Sequence, residues 1–426
     1  MGAFWARSGE IIDYRILLTS NPFSAIIETM KYVKRLIEDS IKHALTRGKS
    51  VLLLGARQTG KTTLINRFDH DLSISFVRPE VRQRYEKSPQ LLKGEVEALA
   101  PSKTGKRPLV ILDEVQKVPV ILDVVQDLSD RGVASFIITG SSARKLRRGA
   151  DINLVPGRVV AFRMDPFSLQ EAPTNDLNER LFYGSLPGIL SVNKQADRES
   201  DLESYVTTYL EEEIRAEAAV RNLGDFARFL ELAASESGGI VNLRKLSQEI
   251  GVSHTTINAY FQILVDCLIA ERIEPLTQSK TRKKLTRSEK YLFFDLGVRR
   301  IAAHEGTRVP RANIGMLFEQ FIGLELLRAI HIKGHGARLK FWRDPDGPEV
   351  DWVIDDDGSY TPLEVKCTDN PASSDIRHLE VFLSEYKSAK TGFLICQVPR
   401  KMKLSEKVFA LPWQSVNDVL KSNPFA

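Results

Sequence analysis

Two groups of residues in this sequence have types and spacings that suit phosphate chemistry. The first is Gly55-Ala56-Arg57-Gln58-Thr59-Gly60-Lys61-Thr62-Thr63, which satisfies G-x-x-x-x-G-K-[ST] at every position. Backbone N–H groups must converge on phosphate oxygens in such a loop, and glycine permits that close approach. Lys61 is then expected to bridge the β and γ phosphates of ATP, and the Thr62 hydroxyl to ligate Mg²⁺. Downstream, the apolar run Leu109-Val110-Ile111-Leu112 ends in Asp113-Glu114. Asp113 suits the Mg²⁺ shell and Glu114 suits the base that orients an attacking water, whereas an idle acidic strand end would need neither. Ser141, after the run Ser135-Phe136-Ile137-Ile138-Thr139, is placed to reach the γ-phosphate from an adjacent strand tip. Arg158 is a candidate phosphate-sensing arginine, in cis or in trans, and reads equally well as a surface arginine.

The second group lies near the C-terminus. Glu364 and Lys366 alternate around Val365, so both leave one face of a strand. Asp351 sits on the preceding run, where a hairpin would bring it up to Glu364. Glu319, on an earlier helix, is a further candidate ligand. Together with the Val365 carbonyl these carboxylates make an all-oxygen set suited to Mg²⁺ or Mn²⁺, with Lys366 positioned to orient or deprotonate a water. The plainer alternative is a surface ion pair on an amphipathic strand.

Elements that would carry these residues can be read from periodicity. Ser50–Leu54 is a short apolar run of the kind that makes a buried parallel strand, and a helix is expected over Lys61–Phe68. From Asn175 to Val220 the pattern is helical, with Leu202, Tyr205, Val206, Tyr209 and Leu210 on one face and the acidic run Glu211-Glu212-Glu213 beyond them. Leu243–Ile250 and His254–Leu268 are two helices joined by Gly251-Val252-Ser253, with Ser253 as N-cap, which is helix-turn-helix spacing. Pro275–Lys290 reads as a hairpin wing. A DNA reader would present His254, Thr255 and Asn258 to a groove and Lys280, Arg282, Lys283 and Lys284 to phosphates. The same module also serves elsewhere for packing or protein docking. A second basic cluster, Arg144 to Arg148, is either a phosphate patch or a solvated face.

The chain has 426 residues, 42% hydrophobic and 27% charged, with a net charge of +5, which bounds it to a folded protein of several domains. That charge alone is too weak to imply nucleic acid. The N-terminus mixes charge signs without an apolar stretch, and no run approaches the roughly 20 apolar residues of a membrane span. Cys267, Cys367 and Cys396 match no metal spacing and read as buried small hydrophobes in a reducing cytoplasm.

The segments GARQTGKTTL, LVILDEVQKVP, IITGSSARKL, PGRVVAFRMDPFSLQE and YGSLPGIL, in this order, resemble a set of prokaryotic AAA+-type P-loop ATPases with a C-terminal domain of unknown function. The resemblance implies that Lys61, Thr62, Asp113 and Glu114 carry ATP binding and hydrolysis, that Ser141 takes the sensor position, that Arg158 is a candidate finger, and that the protein self-associates as a ring or dimer. The series Glu319, Asp351, Glu364-x-Lys366, then a helix, is similar to the PD-(D/E)XK nuclease core, with Glu-Val-Asp where Pro-Asp is usual. The expected fold is α/β: an extension over 1–30, a P-loop parallel sheet over 31–172, a helical lid over 173–222, a winged helix-turn-helix over 223–290 and a restriction-endonuclease-like domain over 291–426. The expected function is ATP hydrolysis coupled to duplex or branched DNA, with divalent-metal cleavage by the last domain. The alternatives are a translocase or junction remodeller with an inactive nuclease fold, and a nucleotide-controlled docking switch.

Overall fold

The computed structural model describes residues 32–99, 107–141, 158–210, 222–279, 282, 285–307, 311–334 and 336–420. The 1–30 extension, the Arg144–Arg148 cluster, the Glu211–Glu213 run and Lys280, Lys283 and Lys284 lie outside the described residues. From Arg35 onward the described residues belong to one compact unit.

That unit opens with helix α1 (Ile37–Thr46), strand β1 (Ser50–Leu54) and a short helix α2 (Lys61–Ile65). There follow β2 (Leu72–Ser75), α3 (Pro79–Lys87), α4 (Leu91–Glu97), β3 (Leu109–Asp113), α5 (Ile121–Asp130), β4 (Ser135–Gly140) and β5 (Val159–Arg163). The five strands form an all-parallel sheet in the order β2-β3-β4-β1-β5. Side chains alternate across it. Val51, Leu53, Ile111 and Ile137 pack with Ile37, Ile41 and Leu64 on one face, while Leu52, Val110, Leu112 and Phe136 pack with Leu92, Leu122 and Val125 on the other. Both faces are therefore covered, which is why these strands are apolar throughout rather than alternating. The helix after the loop ends at Ile65, earlier than the expected Phe68, and Phe68 closes a turn onto the Ile65 carbonyl.

Helices α6 (Leu177–Tyr183), α7 (Pro187–Ser191) and α8 (Gln195–Ser204) come next, and α8 runs on through a widened turn to Leu210. They are followed by α9 (Leu223–Ser235), α10 (Leu243–Ile250), α11 (His254–Asp266), β6 (Ala270–Pro275), β7 (Lys290–Phe293) and α12 (Leu296–Ala302). Gly251, at φ 84°, ends α10, and the Ser253 hydroxyl accepts from the Thr256 N–H at 3.1 Å, so turn and cap form as the residue types dictate. Ile257, Tyr260, Phe261 and Leu264 face the core.

The remainder comprises α13 (Arg311–Lys333), β8 (Arg338–Arg343), β9 (Glu349–Asp356), β10 (Ser359–Val365), α14 (Arg377–Glu385), β11 (Gly392–Cys396), β12 (Met402–Lys403) and β13 (Val408–Pro412). An eight-stranded sheet, β12-β13-β11-β10-β9-β8-β6-β7, carries α13 against one face and α14 against the other. One feature departs from the sequence reading. β6 pairs antiparallel with β7, as a wing requires, but also pairs parallel with β8 through Glu274–Lys340 and Pro275–Phe341. The hairpin is thus the edge of the C-terminal sheet. Cys267 and Cys396 are buried as expected, whereas Cys367, just past the end of β10, is exposed.

Candidate functional site

β1 runs into the glycine-rich loop at the carboxyl end of the parallel sheet. The loop's carbonyls are engaged both by its own side chains and by residues outside it. Lys61 Nζ donates to Gly55 O and Ala56 O, each at 2.9 Å. Thr59 Oγ1 donates to Ala56 O at 2.9 Å, Tyr205 Oη to Arg57 O at 3.2 Å, and Arg35 Nη1 to Thr59 O at 2.7 Å. Because a trans peptide sets its C=O and N–H in opposite directions, the Arg57 and Thr59 carbonyls, tied to residues outside the loop, turn the Gln58 and Gly60 N–H groups the other way. Two residues take left-handed backbone, Gln58 at φ 60° and Gly60 at φ 93°. Gly55 is required for a different reason. A Cβ there would lie 2.3 Å from the Met164 carbonyl oxygen, on the segment that leaves β5. The loop thus brings together Gly55, Ala56, Arg57, Gln58, Thr59, Gly60, Lys61, Thr62 and Thr63.

Asp113 ends β3 and is 4% exposed. Thr139, from the neighbouring strand β4, donates to its Oδ1 at 2.6 Å; Thr62 donates to Oδ2 at 3.2 Å, and Ser75 of β2 to Oδ2 at 3.3 Å. Burial pushes the Asp113 carboxyl above its ordinary range, the Thr139 hydrogen bond opposes this, and the Glu114 charge adds to the rise. Such a carboxylate gains from a cation beside it. Thr62 and Asp113 supply adjoining hard oxygen donors, so the residues fit Mg²⁺.

Glu114 takes a left-handed backbone, φ 59°, and its N–H is fixed by Thr139 Oγ1 at 3.0 Å. Its carboxylate accepts from Ser141 Oγ at 3.3 Å and from the Gln116 amide, which also donates to Ser141 at 2.8 Å. Lys61 Nζ stands 3.8 Å from Glu114 Oε1. The expected Lys61, Thr62, Asp113, Glu114 and Ser141 therefore meet. Sequence reasoning missed Thr139, Gln116, Tyr205 and Arg35. Thr139 looks like one more strand residue, Gln116 follows the acidic pair without a role of its own in the pattern, Tyr205 reads as part of an apolar helix face, and Arg35 lies outside any motif.

Arg158 does not join this site within the chain. Its backbone adjoins Ser50, and Val159 pairs with Ser50, which places it at the amino end of the sheet. At roughly 3.3 Å per residue the loop end of β5 lies about 15 Å away. The guanidinium is bound to Asp130 Oδ1 at 3.1 Å and to the Asp130 carbonyl at 2.7 Å. The expectation of a finger in cis is corrected accordingly.

On the helix-turn-helix, His254, Thr255 and Asn258 are exposed along the start of α11. An open cleft of about 600 Å³ there is lined by Asn242, Arg244, His254 and Ser288 among others. Arg282 is a second correction. Its Nε and Nη2 donate to Glu385, its Nη1 donates to Asp344 at 2.6 Å, and it lies over the Trp342 ring at 5.2 Å. The Glu385 hydrogen bonds hold its pKa above the ordinary arginine value. All its donors on the guanidinium edge face acids of the C-terminal domain, so it staples the hairpin rather than presenting charge to a phosphate.

In the C-terminal sheet the register Leu363–Trp352 continues to set Glu364 opposite Asp351, and the Val365 N–H donates to Asp351 Oδ2 at 2.8 Å. Lys366 Nζ donates to Glu364 Oε1 at 2.8 Å, and Lys290 Nζ to Glu319 Oε1 at 2.9 Å. Burial, then the Glu319 and Glu364 charges, hold Asp351 well above the usual carboxylate range. The expected residues are thus neighbours. They are not arranged as a ligand set: among the described residues no group of three or more His, Cys, Asp or Glu side chains is placed to hold a metal ion. Glu319 and Glu364 each face a lysine, and Asp351 faces a backbone N–H. The expected Mg²⁺ or Mn²⁺ centre is corrected on that ground, and no step is derived through it.

Among the described residues no helix is long and apolar enough to cross a membrane. Two uncharacterized proteins, from Mycobacterium tuberculosis and Mycobacterium bovis, are each 26% identical over 395 residues, covering 91% of this chain and 86% of their own length. The solved Aeropyrum pernix ORC2 protein, in ADPNP–ADP complexes, aligns at 13% identity with a TM-score of 0.33 over 70% of this chain and 92% of its own. Drosophila ORC bound to AT-rich DNA and Cdc6 aligns at 10% identity with a TM-score of 0.23 over 68% and 98%. Likeness at those scores carries no weight for fold or function. Family models match residues 174–308, a domain of unknown function (DUF8612), and residues 314–416, a domain of unknown function (DUF4143). Residues 47–172, which hold the parallel sheet and its phosphate loop, match the AAA domain, and the chain accordingly carries an AAA-type P-loop ATPase domain.

Proposed function

We propose that this chain hydrolyses ATP and uses the cycle to act on DNA. The observation that carries the first half is the buried Asp113, held between the loop hydroxyl of Thr62 and Thr139, with Lys61 and Glu114 alongside. Lys61 exchanges two loop carbonyls for the β and γ phosphates. Thr62 and Asp113 would hold Mg²⁺, which would supply neutralisation of phosphate charge. Glu114 orients the attacking water, and Gln116 and Ser141 keep its carboxylate aimed. Ser141 also reaches the γ-phosphate from the tip of β4. A second copy of the chain supplies an arginine in trans, for which Arg158 is the candidate.

DNA action is supported by the exposed His254, Thr255 and Asn258 at the start of α11, beside the cleft that Arg244 lines. A second reading, a nucleotide-controlled docking switch, is favoured by the loss of Arg282 as a phosphate contact and by the absorption of the hairpin into the C-terminal sheet.

Phosphate release from ATP and Mg²⁺, measured with and without linear, forked and four-way DNA, separates these readings. Stimulation by DNA supports the DNA-acting protein, and slow release indifferent to every nucleic acid supports the switch. Glu114→Gln should still bind ATP but release phosphate roughly a hundredfold more slowly or worse. Unimpaired turnover in that variant removes Glu114 from the mechanism.

A further inference from the structure

We infer that Arg35 is a positioning residue of the phosphate loop: it sets the Thr59–Gly60 peptide with its N–H toward the nucleotide and makes that setting depend on the segment Met164–Glu171. The inference rests on the ATP reading above. Arg35 lies in neither the loop motif nor the acidic strand, yet its side chain is 6% exposed and fully engaged. Nη1 donates to Thr59 O at 2.7 Å, Nη2 to Asp165 O at 2.6 Å, and Nε to Glu171 Oε1 at 2.9 Å, while the Phe167 ring lies under the guanidinium at 5.0 Å. Glu171 is fixed in turn, accepting from the Leu36 N–H at 2.9 Å and the Ser168 N–H at 3.0 Å.

The consequence follows from peptide geometry. With Thr59 C=O pinned to a buried cation, the Gly60 N–H of the same plane must point the opposite way, into the loop. Gly60 sits at φ 93°, so this peptide has no stiff side chain of its own to fix it; a Cβ there would lie 3.5 Å from Met164 Cε and 3.8 Å from Arg35 Nη1. The orientation is imposed from outside.

The same segment that receives Arg35 is gripped from its other side by one helix. His331 Nδ1 meets Asp165 Oδ2 at 2.7 Å, Arg328 Nη1 donates to Phe167 O at 3.0 Å, and the Leu169 N–H donates to Glu325 Oε2 at 2.8 Å. Glu325, Arg328 and His331 fall at i, i+3 and i+6 of α13, a single stripe. A shift of α13 therefore reaches Thr59 through Asp165, Glu171 and Arg35, which makes Arg35 the joint between the phosphate loop and the C-terminal domain.

The test uses the full chain, ATP with Mg²⁺, and titration calorimetry on the wild type, Arg35→Ala and Arg35→Lys, with circular dichroism to follow folding. Arg35→Ala should keep its spectrum, bind ATP roughly ten- to a hundredfold more weakly, and regain part of that affinity in millimolar guanidinium. Wild-type affinity in Arg35→Ala overturns the inference, as does a folded variant whose loss guanidinium leaves untouched. Should Arg35→Ala not fold, Arg35→Lys decides: one ammonium cannot serve Thr59, Asp165 and Glu171 together, so affinity must fall, and unchanged affinity overturns the inference. A wild type that binds no ATP fells the ATP reading itself, whereas a binding wild type with an unaltered Arg35 variant fells only this inference.

Discussion

Thr139→Val isolates what holds the acidic end of β3. The two side chains have nearly the same shape and Thr139 is fully buried, so the substitution leaves no large cavity. It deletes two hydrogen bonds: the one donated to Asp113 Oδ1 at 2.6 Å and the one accepted from the Glu114 N–H at 3.0 Å. A hydrogen bond to a buried charged group contributes about 1.5–3 kcal/mol and a neutral one about 1 kcal/mol, so the loss at neutral pH should be about 2–4 kcal/mol. The pH dependence gives a sharper check. Burial raises the Asp113 carboxyl in the folded chain, and the Thr139 bond works against that rise. A carboxyl whose folded pKa exceeds its unfolded value favours the folded state in acid, and that contribution is lost as pH rises through the folded pKa. Valine raises the folded pKa further. In acid the variant should therefore fall short of the wild type by only about 1 kcal/mol, the share of the Glu114 N–H bond, and the gap should widen as pH rises through the wild-type value and level off above the variant's. Urea denaturation of the nucleotide-free protein across that pH range measures it. A gap that is constant with pH, or that narrows as pH rises, refutes the assignment of Thr139 as the partner of an ionised Asp113. Phosphate release should fall at least tenfold as well, because Glu114 loses the contact that holds its left-handed backbone.

Other substitutions probe separate parts of the molecule. Gly55→Ala drives a methyl to 2.3 Å from the Met164 carbonyl and should cost roughly 3 kcal/mol or more, read as a lowered denaturation midpoint or loss of soluble protein. A wild-type midpoint would show that the segment after β5 does not press on the loop. Arg282→Ala should destabilise the chain by about 1–3 kcal/mol through loss of the Glu385 and Asp344 contacts while leaving DNA affinity unchanged. A selective loss of DNA binding, measured by fluorescence anisotropy with no change in stability, would reinstate it as a phosphate contact.

How far residues could be placed from the sequence depended on how local their partners are. The phosphate loop was legible because glycines, lysine and threonine act within one turn of chain, and the opposition of Asp351 and Glu364 because hairpin register follows from alternation. Thr139 was not legible, since nothing in a run of strand residues says which one will lie beside Asp113 once β4 has slotted between β1 and β3. Arg35 and Glu171 are separated by almost the whole parallel sheet and meet only after it folds. Arg282 misled for the same reason in reverse. Its neighbours Lys280, Lys283 and Lys284 suggested a solvent-facing basic tip, while Asp344 and Glu385, far along the chain, decide what its guanidinium touches. The metal expectation at Glu319, Asp351 and Glu364 identified real neighbours and named Lys366 beside them, but not Lys290, which reaches Glu319 from β7.

The shared edge formed by β6 has a practical meaning for anyone dividing this protein into pieces. A fragment stopped after the helix-turn-helix would bare one side of that hairpin, and a fragment begun after it would bare β8. Either cut leaves a row of unsatisfied backbone donors and acceptors open to pairing with stray chains. The pairing of Glu274 with Lys340 and of Pro275 with Phe341 thus ties the hairpin that follows α11 to the strand that carries Trp342.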